Sequence, residues 1–124
     1  EKDSFSPLKN LNRNLDLDFQ NLNHIIPYTF INQNKLEDIY LSHNSLTILD
    51  NFTFNGLNEI RIIDIGKNKI IKIELYAFYC LKILSELYLD SNRLTTLEPK
   101  VFECLPNLRI LSLSKNLFLS LDRQ

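Results

Sequence analysis

Five stretches of this chain repeat one pattern at a spacing of 24 residues, and a fixed self-similarity of that length confines the fold to a stacked array. The clearest copy holds Leu87, Leu89, Asn92, Leu94, Leu97, Phe102 and Leu105. One period earlier stand Ile63, Ile65, Asn68, Ile70, Ile73, Phe78 and Leu81, and one before that Ile39, Leu41, Asn44, Leu46, Leu49, Phe54 and Leu57. The last copy supplies Leu111, Leu113, Asn116, Phe118 and Leu121. A weaker first copy supplies Leu15, Leu17, Leu22, Ile25 and Phe30, with Gln20 in the asparagine place. Neither one amphipathic helix nor a set of unrelated strands reproduces this schedule.

Apolar and polar residues alternate in each copy just before the asparagine, which is the period of a half-buried strand. Short strands are expected near 13–18, 37–42, 61–66, 85–90 and 109–114, stacked as one parallel sheet with Leu15, Ile39, Ile63, Leu87 and Leu111 turned inward. Where the chain leaves the sheet, the bend strips backbone groups of their ladder partners. An asparagine carries both donor and acceptor, so Asn44, Asn68, Asn92 and Asn116 are expected to form a ladder tying each bend to its neighbour. Phe30, Phe54, Phe78 and Phe102 place one ring per repeat on the wide side of the core, and Phe5 joins that column after a step of 25 residues. No polar or cysteine-rich cap stands at either end, so the chain reads as a piece of a longer array whose uncapped ends fray or self-associate.

The pattern L-x-x-L-x-L-x-x-N-x-L-x-x-L-x-x-x-x-F-x-x-L, from about Leu11 to Leu121, resembles the 24-residue "typical" class of leucine-rich repeat. That class occurs in the ectodomains of Toll-like receptors, Slit-type guidance proteins, adhesion proteins and glycoprotein-hormone-type receptors. It differs from the plant type, which carries a Gly-x-Ile-Pro element, and from the longer ribonuclease-inhibitor type. The resemblance implies an α/β leucine-rich repeat solenoid: a right-handed curved array with a short-stranded parallel sheet on the concave face and irregular or short helical convex segments. It also implies a protein–protein recognition module, the extracellular ligand-binding region of a receptor, adhesion or secreted protein. An intracellular scaffold or enzyme regulator is the alternative, because a fold of this kind does not fix its partner.

Composition narrows this further. The 124 residues read as a single domain, 1–124, with 2 glycines, 4 prolines and no linker. A formal net charge of -1 gives no electrostatic reason to invoke nucleic acid or an anionic membrane. No apolar run is long enough for a bilayer span, so this region is not expected to insert in a membrane. No nucleophile, base and phosphate-cradling loop stand at mechanistic spacing, so the chain is not read as an enzyme and no cofactor is expected. Cys80 and Cys104, with His24 and His43 elsewhere, lack the spacing of a metal ligand set. The two cysteines share the place held by Gly56, and either bridge adjacent repeats or fill a small slot as buried thiols. The second reading is preferred because equivalent side chains run parallel. Asn51-Phe52-Thr53 is the lone N-x-S/T sequon and makes Asn51 an exposed glycosylation acceptor in a secreted chain.

Alternation turns three positions per strand outward. Across the five copies these are Asn14, Asp38, Ile62, Glu86 and Ile110, then Asp16, Tyr40, Asp64, Tyr88 and Ser112, then Asp18, Ser42, Gly66, Asp90 and Ser114. Six of the 15 are acidic and none is Lys or Arg, although the chain holds 14 basic and 15 acidic residues. Asp and Ser are common on the solvated face of such strands and Tyr suits any strand, but outward Ile62 and Ile110 favour binding, and Asp38, Tyr40, Ile62, Asp64, Glu86, Tyr88, Asp90 and Ile110 are the candidate partner-binding residues. Two tyrosines flanking a carboxylate suit a protein ligand or co-receptor that presents a basic segment. The chain is expected to act at the cell surface or outside the cell.

Overall fold

The computed structural model describes residues 13–119. The expectations for Phe5, Leu11 and Leu121 fall outside the described residues. In chain order the elements are β1 (Asn14–Asp16), β2 (Asp38–Tyr40), β3 (Ile48–Leu49), β4 (Ile62–Asp64), β5 (Lys72–Ile73), β6 (Glu86–Tyr88), a 3-10 turn (Pro99–Phe102) and β7 (Ile110–Ser112).

The main sheet runs β1-β2-β4-β6-β7 with every pair parallel. Its register aligns Asn14, Asp38, Ile62, Glu86 and Ile110, one 24-residue period per strand. The regular strands are three residues long, half the expected spans, yet the hydrogen-bond ladder continues past them. Leu17, Leu41, Ile65 and Leu89 each donate to the next turn, at 2.7 to 2.9 Å from the carbonyls of Tyr40, Asp64, Tyr88 and Ser112. Two residues later Phe19, His43, Lys67 and Ser91 donate in the same way. These last four, and Lys115, hold positive φ of 55 to 59°, and that left-handed residue breaks strand geometry without breaking the ladder.

The asparagine follows at once. Asn68 accepts the Leu46 N–H at 3.0 Å and donates to the carbonyls of Leu41, Ile65 and Gly66 at 3.0 to 3.2 Å. Asn44, Asn92 and Asn116 repeat this bonding, each to the equivalent groups of its own turn and of the turn before. Gln20 donates from its amide to the Asp18 carbonyl in its own turn.

Between sheet and return segments lies one apolar core. Ile39, Leu41, Ile63, Ile65, Leu87 and Leu89 are fully buried, as are Phe30 and Phe54, with Phe78 almost so. The phenylalanine rings stack along the array at 6.1, 5.5 and 6.4 Å. Parallel strands repeat at about 4.8 Å, so each turn is a wedge, narrow at the sheet and wide at the rings. The main sheet therefore lines the concave side. A second sheet pairs β3 with β5 in parallel, Ile48 beside Lys72 and Leu49 beside Ile73; the sequence pattern did not announce it. Among the described residues, the segments between the main-sheet strands are irregular apart from β3, β5 and the 3-10 turn. Among the described residues no helix is long and apolar enough to cross a membrane.

Candidate partner-binding face

Because the sheet steps by one period per strand, outward side chains form rows across it. Asp38, Ile62, Glu86 and Ile110 make one row, and Tyr40, Asp64, Tyr88 and Ser112 the next. Asp90 follows Tyr88 along the same face. The eight candidate residues thus share one surface. Most are half-buried by their neighbours, Ile62 included, while Ile110 is 43% exposed.

Each tyrosine leans along its own strand. The Tyr88 hydroxyl donates to Glu86 Oε1 at 2.7 Å, and the Tyr40 hydroxyl approaches Asp38 Oδ2 at 3.5 Å. The Glu86 carboxylate beside it, with burial, pushes the Tyr88 phenol up to about 12. Burial first, then the Asp38 charge, raises Tyr40 above its ordinary value. Between them Asp64 is also raised, chiefly by burial and then by Asp90 and Asp18, against the opposing Gly66 N–H and Lys67. Burial and the neighbouring carboxylates thus both hold the Asp64 proton more tightly, with Lys67 at the rim opposing them.

Several carboxylates also serve the backbone. Asp16 Oδ1 accepts the Asp18 N–H, Asp18 Oδ1 accepts the Ser42 N–H, and Asp64 Oδ1 accepts the Gly66 N–H, all at 2.8 to 3.0 Å. These acids were read from sequence only as surface charge, although Asp two residues before a bend is a known backbone partner. Gly66 has a second duty. A Cβ there would lie 2.9 Å from Asp90 Oδ1, so the glycine lets Asp90 fold over it while Lys67 approaches Asp90 Oδ2 at 3.8 Å. At the other rim Glu37 pairs with Arg13 and lies 4.0 Å from Arg61, so the basic residues ring the face rather than enter it.

The remaining sequence-derived sites lie elsewhere. Asn51 is half-buried rather than exposed, its Oδ1 accepting the Tyr76 N–H at 2.8 Å, and Thr53 is buried with its hydroxyl on the Asp50 carbonyl. Parallel neighbouring turns explain this, since the convex backbone of one repeat uses the side chain of the one before. Cys80 is half-buried and Cys104 exposed, which corrects the picture of two buried thiols. A stripe that the sequence reading missed runs along the convex side. Tyr28, Phe52 and Tyr76 stack at 5.6 and 5.9 Å, with Tyr79 edge-on to the last two. Its signal was the same 24-residue spacing.

The sequence profile "Leucine rich repeat" matches residues 10–70 and 59–118. Among solved structures the chain is similar to TLR13 in its complex with ssRNA13, at 33% identity and a TM-score of 0.77, over 82% of this chain and 15% of that one. It is also similar to the LRR protein LIC12759 of Leptospira interrogans, at 30% identity and a TM-score of 0.66, over 79% of this chain and 25% of that one. The chain spans a quarter or less of the length of either. No curated protein matches it by sequence.

Proposed function

The chain belongs to the leucine-rich repeat family, a family of interaction modules, and from that premise we propose that it binds a protein ligand or co-receptor through its concave sheet. We place it in the extracellular, ligand-binding part of a receptor, adhesion or secreted protein. The observation that carries this reading is the row Tyr40, Asp64, Tyr88 with Asp38, Glu86 and Asp90 around it. Tyr88, held by Glu86, is a rigid anchor with Tyr40 as a second aromatic in the same row, and the carboxylates around them, with no Lys or Arg among the outward strand positions, select a basic or amide-rich segment of the partner. Its role is recognition rather than catalysis, since the acids are engaged with tyrosine hydroxyls and backbone amides. TLR13 is seen with a single-stranded RNA, but six acids and no Lys or Arg at the 15 outward strand positions here would repel phosphate.

The test is capture from extracellular and from cytosolic extracts, comparing the chain with a Tyr40→Ala, Tyr88→Ala variant whose circular dichroism is unchanged. Loss of two aromatic anchors should weaken binding by about 100-fold or more. A partner from the extracellular extract that the variant loses supports the proposal. A partner found only in cytosol selects the intracellular scaffold instead, and equal capture by both chains removes the concave face from the account.

A further inference from the structure

We propose that Cys80 and Cys104 are a disulfide-forming pair that clamps two successive repeats on the side of the array away from the concave sheet. Residues at equivalent places in a regular solenoid run parallel and stay about one strand spacing apart. These two do not, because their backbones differ. Cys80 sits at φ +51°, in the left-handed region, as Gly56 does one period earlier at +102°. Cys104 instead follows the 3-10 turn Pro99–Phe102 and is not among the positive-φ residues. The mismatch turns the two side chains toward each other, and their sulfurs stand 2.8 Å apart. That is well inside the about 3.5 to 4.0 Å at which even the smaller carbon atoms rest. It is only about 0.75 Å longer than a disulfide bond.

Access is open from both sides. A surface depression beside Tyr79 and Lys82 reaches Cys80, and a second beside Tyr76 and Lys100 reaches Cys104. Both depressions are open enough for a small disulfide such as oxidised glutathione to act as the oxidant. Cys104 is the more exposed thiol; its hydrogen bond with Cys80 and then burial make it hold its proton more tightly than an ordinary thiol, so it is the small fraction that has given its proton to water that attacks one sulfur of the glutathione disulfide. That S–S bond breaks and one glutathione thiolate leaves. Cys80 then loses its proton and attacks Cys104 Sγ, expelling the second glutathione thiolate. Two protein thiols are oxidised and one glutathione disulfide is reduced to two glutathiones. The clamp is independent of what binds the concave face.

The test treats the purified chain with oxidised glutathione, quenches it in acid and reads intact mass, peptide linkage and Tm. The expected product is a monomer about 2 Da lighter, with the Cys80 and Cys104 peptides joined and neither thiol open to iodoacetamide. Closing a loop of this length should raise Tm by about 10 °C. A Cys104→Ser variant should keep the reduced Tm and show no rise with oxidant. Closure should be at least about tenfold faster in the folded chain than in urea, because folding supplies the effective concentration. Stable glutathione adducts on both cysteines, a covalent dimer, equal rates in urea, or a bridge that leaves Tm unchanged would each overturn the proposal.

Discussion

Replacing Asn68 by alanine should be among the most damaging single changes to the fold, and the structure says how the loss divides. The residue is 7% exposed and its side chain makes four hydrogen bonds. Its three carbonyl partners each keep another donor: Leu41 O keeps Asn44, Ile65 O keeps Asn92, and Gly66 O keeps the His43 N–H. The Leu46 N–H, bonded to Asn68 Oδ1 in a buried bend, is the group that loses its partner. An orphaned buried donor costs about 1 to 3 kcal/mol and each weakened hydrogen bond about 0.5 to 1.5, so Asn68→Ala should lose about 3 to 5 kcal/mol. A domain of this size has only about 5 to 15 kcal/mol in all. With a urea slope of about 1 to 3 kcal/mol/M, the unfolding midpoint should fall by roughly 2 M. Asn116, half-buried and bonded partly to exposed groups, should lose much less when changed in the same way. A loss under about 1 kcal/mol at Asn68, or equal losses at Asn68 and Asn116, would refute the idea that the asparagines hold the turns together.

Other positions carry their own expectations. Ser91 sits at φ 59°; a left-handed residue costs about 1 to 2 kcal/mol and glycine gives back about 0.5 to 1 in the unfolded chain. Ser91→Gly should therefore stabilise by about 0.5 to 1 kcal/mol in urea titration, and a loss would show that the bend is not strained there. Asp64 binds its proton more tightly folded than unfolded, so its ionisation costs stability as pH rises from 3.8 through its raised folded value. Asp64→Asn keeps the oxygen that accepts the Gly66 N–H, so its Tm advantage over the parent should grow from acid to neutral pH and then level off; a flat difference would count against burial of the charge. Ultraviolet titration should find one tyrosine ionising near 12, and Glu86→Gln should bring that tyrosine down; an unmoved titration would mean Tyr88 does not bond Glu86.

Much of this was legible from spacing alone. The inward residues Ile39, Ile63 and Leu87 and the asparagines follow from period and alternation, because each turn repeats the same local physics. The strand ends were harder to read, since Phe19, His43, Lys67, Ser91 and Lys115 are left-handed without being glycine. Two-residue pairings such as Leu49 with Ile73 leave too short an alternation to be seen. Asn51 and the cysteines went astray for one reason: both readings assumed that neighbouring convex segments are copies. Instead Asn51 reaches into the next turn, and the 3-10 turn before Cys104 has no counterpart before Cys80. The backbone role of the aspartates was hidden, because an aspartate that caps a neighbouring N–H and one that only carries surface charge are the same residue in the sequence.

Carboxyl footprinting tests the central claim most directly. The free chain and the chain bound to its captured partner would be labelled with a carbodiimide and an amine, and each acid read by mass spectrometry. Binding on the concave sheet predicts protection of Asp38, Asp64, Glu86 and Asp90, with Glu59, Glu98 and Glu103, exposed in the return segments, labelled as before. Protection of Glu59, Glu98 and Glu103 with the strand acids unchanged would contradict it and move the binding surface to the convex side.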